Sequence, residues 1–151
     1  LGALGVAMQF VPYGRDHAAR PVQREPAWDS LATRTLVARA CFDCHSNHTV
    51  WPWYAQVAPV SWLVQQDVDE GRAHLNFSEW TRLQRGLRGV RNDVIRGEMP
   101  PWYYLPLHPQ AKLSPVERET LLRGFVATIA ADPPPQPPPR RPENGARNTG
   151  G

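Results

Sequence analysis

Cysteine is scarce in this sequence: two residues in 151, at positions 41 and 44, with no second pair anywhere. Structural zinc wants four ligands, and Cys41, Cys44 and a neighbouring histidine supply at most three. Strands are missing as well. No segment alternates polar and apolar residues over a convincing length, so the C-x-x-C pair lacks the strand-then-helix setting of a thioredoxin-type redox motif. There is no internal repeat. Neither sign of charge dominates, with a net charge of +3 and a pI near 9.2, and no basic run interleaved with aromatics marks a nucleic-acid surface. Two matches to a glycosylation sequon, "NHT" (47–49) and "NFS" (76–78), are taken as chance. A bilayer-spanning apolar run of about 20 residues is also lacking. The apolar run that does occur, "LGALGVAMQFV", is expected to be the end of an N-terminal membrane anchor over residues 1–12, the alternative being a short buried helix.

What is plentiful is proline, seventeen in all, unevenly spread. "DPPPQPPPRRPENGARNTGG" (132–151) has no residue to anchor a core and favours extended polyproline II. It reads as a tail, solvated or laid along a partner. "PYGRDHAARPVQREPA" is polar and proline-broken, giving a linker over residues 13–27. Between them, residues 28–131 read as one all-α domain. Asp29 or Ser30 caps a helix running into Cys41, with Leu36, Val37 and Ala40 inward. A second helix follows Pro59, with Val60, Leu63, Val64 and Val68 at helical spacing. Ser78 is expected to cap a third over residues 79–97. Its Trp80, Leu83, Leu87, Val90 and Val94 share one stripe, and the arginines at 82, 85, 88 and 96 form a solvated face. The last helix opens on a capping box, Ser114 with Glu117 and Pro115 at the first position. It continues through Leu122, Phe125, Val126 and Ile129.

The chemistry concentrates in "CFDCHSNHTVWPWY" (41–54). C-x-x-C-H is the attachment signature of a c-type haem. Two thiols at this separation reach two vinyl groups of one porphyrin, and the adjoining imidazole of His45 is held where it can bind iron. The second axial position decides between electron transfer and ligand chemistry. Its candidates are Met8, Met99, His17, His48, His74 and His108. Met8 lies in the apolar leader, His17 in the linker, and His48 so close to His45 that it falls on the same side of the ring. Met99 is preferred. Prolines 100 and 101 take the chain out of helix behind it, and "GEMPPWYY" is a poor place for a methionine that merely fills core. His74, His108 and an open site remain as alternatives.

With "CFDCHSNHTVWPWY", "APVSWLVQQDVDEGRAHLNFSEW", "GEMP" and "HPQAKLS" all present, the chain resembles a bacterial family known as the haem-binding domain family, over about residues 30–130. It is similar to small class I cytochromes c in its order of helix, C-x-x-C-H, helices, methionine loop and closing helix. The resemblance implies thioethers on Cys41 and Cys44, His45 as proximal ligand, and Met99 at the family's methionine-proline. It also implies a haem pocket built from Trp51, Trp53, Tyr54, Trp62, Arg72 and Trp80. The tryptophans could equally be plain core, and Arg72 an exposed helix-end residue rather than a propionate partner. Tyr103 and Tyr104 could bond propionates or close the rim. Family members typically carry an N-terminal membrane segment and face the periplasm; a long proline tail is not part of the pattern.

The resulting expectation is one covalent haem c in a single-electron carrier, not an enzyme, anchored at the periplasmic side of a bacterial inner membrane. Its partners would be redox proteins or a larger respiratory or photosynthetic complex holding the apolar leader and the proline tail. The alternative is a haem enzyme or gas sensor with an exchangeable distal ligand, in which His74 and Arg72 act as the acid–base pair.

Overall fold

The structure, a computed structural model, describes residues 2–136; the expected proline tail beyond Gln136 lies outside the described residues. The described residues hold five α-helices: α1 (Gly2–Met8), α2 (Leu31–His45), α3 (Val60–His74), α4 (Val90–Arg96) and α5 (Pro115–Ala131). Single 3-10 turns occur at Trp53–Gln56 and Pro109–Ala111. There is no strand among the described residues, and the one β-type contact is an isolated parallel bridge between Arg24 and Glu79.

α2 starts where Ser30 Oγ accepts the Thr33 N–H, satisfying an amide that has no partner inside the helix. Its Leu36, Val37 and Ala40 are buried. The capping box of α5 is complete: Ser114 Oγ accepts from the Glu117 N–H, and the Glu117 carboxylate accepts from the Ser114 N–H. That N–H, together with the Arg39 guanidinium at 2.7 Å, holds the Glu117 carboxyl down to about 2. α5 lies tightly on α2 at Gly124, where a Cβ would stand 1.8 Å from Thr33 Oγ1. The core between them is closed by Phe77 and Trp80 from the segment after α3. Phe77 stacks on Trp80 at 6.1 Å and meets Phe125 edge-on at 6.0 Å.

One expected helix is largely absent. Of residues 79–97, only Val90–Arg96 are α-helical. Ser78 Oγ does not cap it, because that oxygen accepts the Asn47 N–H. The Gln84 side chain accepts from the Asn76 N–H and donates to the carbonyls of Glu79 and Arg82. The Gly86 N–H donates to His74 O at 2.7 Å. These side-chain bonds, and the tie back to α3 through His74, replace the i→i−4 ladder, an override that local propensity cannot resist. The stripe still turns inward: Trp80 and Val94 are buried, Leu87 and Val90 half-buried. On α3, Val60 and Leu63 are exposed while Ser61, Val68 and Arg72 are buried. On α5 the buried leucine is Leu121 rather than Leu122, and Val126 is exposed.

The proline-broken segment before α2 is strapped to the domain. The Gln9 amide donates to Ala58 O and accepts the Ala58 N–H. Gly14, at φ +77°, passes so close to α3 that a Cβ would lie 2.6 Å from Ser61 O. Further on, the N–H groups of Gln23 and Arg24 donate to Ser78 O, and Arg24 pairs with Asp132 at 2.6 Å. α1 buries none of its residues, and no helix among the described residues is long and apolar enough to cross a membrane.

Candidate functional site

The last turn of α2 carries Cys41, Cys44 and His45. Positions three and four apart on a helix share a face, so both sulfurs and the imidazole belong to one surface. Both cysteines are free thiols. Burial, and then the neighbouring Cys44, push the Cys41 thiol up to about 12. Cys44 rises to about 12 as well, through burial first and then the Asp67 and Asp43 carboxylates. They are held protonated.

The orientation of His45 is set by α3. Its Nδ1 lies 3.1 Å from Gly71 O and 3.1 Å from Leu75 O. Both partners are carbonyl acceptors, so Nδ1 carries the proton and the Nε2 lone pair is left free for a metal. Burial lowers the pKa of the ring, which keeps it neutral. This arrangement needs α3 pressed against α2, and Gly71 permits it: a Cβ there would stand 2.5 Å from Cys44 O. Sequence reasoning missed Gly71, although a glycine inside a helix costs about 1 kcal/mol against alanine and so signals a close contact. Gly71→Ala is expected to push α3 outward, destabilise the protein by about 1–3 kcal/mol and loosen the His45 carbonyl bonds. Denaturant unfolding of the two proteins checks this.

Cys41, Cys44 and His45 open onto a cavity of about 400 Å³, within the range of roughly 300–1,000 Å³ usual for ligand sites. Its apolar walls include Ala40, Leu75, Phe77, Val90, Val94 and Pro100. Met99 enters from a different element, the loop after α4. That loop begins where α4 ends at Gly97, left-handed at φ +72°. Asp67, Glu70 and His74 line the same space from α3. Burial raises the pKa of Asp67, against a lowering by the Tyr103 hydroxyl.

The six aromatic and arginine positions drawn from the resemblance are not among the lining residues of this cavity. Trp51 stacks on His17 at 3.9 Å, and Trp53 is 80% exposed. Tyr54 faces His108 across a small adjoining pocket. The Trp62 indole N–H is buried without a hydrogen-bond partner. Arg72 donates Nε to Ser46 O at 2.9 Å and Nη2 to Thr49 Oγ1 at 2.8 Å, tying the turn after α2 to α3. Trp80 is in the core, with 0% exposure, and its indole donates to Asp132 O. Tyr103 and Tyr104 donate to Asp67 and Asp43. Wall residues that reading overlooked include Leu75 and Phe77.

Of the other candidate axial ligands, His74 alone shares the cavity with Met99. Its Nδ1 faces Glu70 O at 2.9 Å. His48 stacks over Phe42 beside Glu25, and His108 lies against Tyr104. Met8 ends α1. No group of three or more His, Cys, Asp or Glu side chains among the described residues could hold a metal ion, so the cysteines have no zinc-type donor set. Two thiols, one free imidazole nitrogen and a thioether around an apolar cavity do suit an iron porphyrin.

Comparison with known proteins agrees with this chemistry. A family model described as a haem-binding domain matches residues 3–127. The match begins well before residue 30, so all of α1 except Gly2, and the strapped segment between α1 and α2, fall within it. None of the curated proteins and none of the solved structures compared with the chain matches it.

Proposed function

We propose that this chain, which belongs to the haem-binding domain family, is a monohaem c-type cytochrome of class I kind that relays single electrons at the periplasmic side of a bacterial inner membrane. One observation carries the reading: both thiols, His45 and Met99 line one apolar cavity, with the His45 Nδ1 proton committed to two carbonyls. In this reading Cys41 and Cys44 would hold the haem by thioethers, and His45 and Met99 would ligate its iron. A bound haem supplies a one-electron couple at its iron, and methionine as the second ligand raises its potential. The chain's own contribution is to keep the His45 imidazole neutral and aimed, to hold the Met99 loop in place, and to exclude water with Leu75, Phe77 and Val94. An iron ligated by both His45 and Met99 would leave no position for a substrate, which favours a carrier over an enzyme.

The test is spectroscopic. Oxidised protein is expected to show the Fe–S(Met) absorption signature, and Met99→Ala to abolish it while covalent haem stays in place. Ready binding of carbon monoxide by the native ferrous protein overturns the reading. A second reading, an enzyme or sensor with an exchangeable ligand, draws on His74 in the same cavity; Arg72, engaged with Ser46 and Thr49, is not available to it. Peroxide turnover lost in His74→Ala would establish that reading instead.

The exposed apolar surfaces support membership of a larger respiratory or photosynthetic assembly. α1 shows Leu4 and Val6 to solvent, and Trp53 and Trp102 are each 80% exposed. Such surfaces, when clustered, mark contacts with partners or membrane. The protein extracted in mild detergent is expected to sediment with other subunits; a monodisperse monomer contradicts this part of the proposal.

A further inference from the structure

We infer that Asp43, between the two cysteines, and Tyr104 form the positioning pair that holds the Met99 loop against the haem-attachment helix. The inference rests on the proposed ligation by Met99. Met99 itself is weakly held: it is 39% exposed, and its N–H reaches Asp93 O at 3.3 Å. The loop is therefore placed by its two ends. One is the Gly97 cap of α4, where the Glu98 N–H also returns to Asp93 O at 2.8 Å. The other is Tyr104. Its hydroxyl donates to Asp43 Oδ2 at 2.5 Å, and its ring stacks on His108 at 3.8 Å with the planes 6° apart.

The acceptor is fixed in turn. Asp43 Oδ1 takes the Val50 N–H at 3.0 Å, and Asp43 O takes the Thr49 hydroxyl at 2.7 Å. Since Asp43 shares a helical turn with both thiols, anything tied to its carboxylate is referenced to the point where the haem is attached. Half-burial and the Asp43 charge both raise the Tyr104 pKa, so the donor keeps its proton. Tyr103 adds a second tie, to Asp67 on α3 at 3.2 Å, but that bond is exposed to water and contributes less. A loop pinned at both ends presents its ligand with little left to order, the general advantage of a preorganised site.

The experiment uses haem-loaded protein. Covalent haem is quantified on the denatured chain, so that failures of maturation are recognised separately. Tyr104→Phe keeps the ring and its stack and removes only the donor. Losing a hydrogen bond to a charged acceptor is expected to raise the rate of carbon monoxide binding to the ferrous protein roughly ten- to a hundredfold and to weaken the Fe–S(Met) signature. Asp43→Asn shifts both in the same direction, because its single carbonyl oxygen cannot accept from both the Val50 N–H and the Tyr104 hydroxyl. Tyr103→Phe changes the rate by no more than about threefold, as befits an exposed bond. The inference is overturned if Tyr104→Phe binds carbon monoxide no faster than the native protein while Met99→Ala has lost the signature. It is equally overturned if Tyr103→Phe loosens the site as much as Tyr104→Phe. A Met99→Ala protein that retains the native signature removes the ligand reading itself and this inference with it; the Met99 result therefore separates the two failures.

Discussion

Replacing Cys41 and Cys44 together by serine should yield a polypeptide that carries no haem once it is denatured. The two thiols sit one helical turn apart on a common face and line the cavity, where each can reach its own vinyl group of one porphyrin. A serine hydroxyl has nearly the shape of the thiol but not its nucleophilicity, so the cavity survives and the weld does not. His45 still offers Nε2, since its carbonyl partners, on α3 and at its C-cap, are untouched. Any haem in the folded double variant is held by the imidazole and the apolar walls alone, and is released with the fold. The single variants retain one tether each and keep haem on the denatured chain. The measurement is haem absorbance migrating with the denatured polypeptide. Native-like retention in the double variant would mean that the thiols are not the attachment points.

Trp80→Ala is expected to cost about 3–5 kcal/mol of stability, the usual range for emptying a fully buried tryptophan site, and to leave the Fe–S(Met) signature of the folded fraction unchanged. Trp80 has 0% exposure, stacks against Phe77 and donates its indole N–H to Asp132 O at 2.8 Å. Truncation leaves a cavity and strips that carbonyl of its donor. The haem cavity is bounded by Phe77, one layer nearer. Guanidinium unfolding gives the stability, and the absorption spectrum reports the pocket. A variant about as stable as the native protein but with an altered spectrum would return Trp80 to the pocket that the resemblance implies.

These two expectations mark what could and could not be read in advance. The six tryptophans suggested a flat apolar cofactor, yet composition cannot say which of them faces it. Trp51 turned to His17, Trp53 to solvent and Trp80 to the core. The helix expected over residues 79–97 failed for a related reason. Its apolar stripe was real, but Gln84 and Gly86 found partners on Asn76 and His74, and these outweighed the helical ladder. The polar strap before α2 looked like linker because its fastenings, Ser78 and Asp132, lie far along the chain.

The sequence by itself determined the all-helical architecture, the Ser114 cap, the family, and the joint placement of Cys41, Cys44 and His45. Each of these is a local pattern, in which the atoms that interact are within about one helical turn of each other. Only the tertiary structure decided which His45 nitrogen is free, that Gly71 must be small, and that Asp43 grips Tyr104 sixty-one residues away. Those outcomes depend on how closely α3 and the Met99 loop approach α2. Such distances are set by packing between distant segments, which no spacing along the chain encodes.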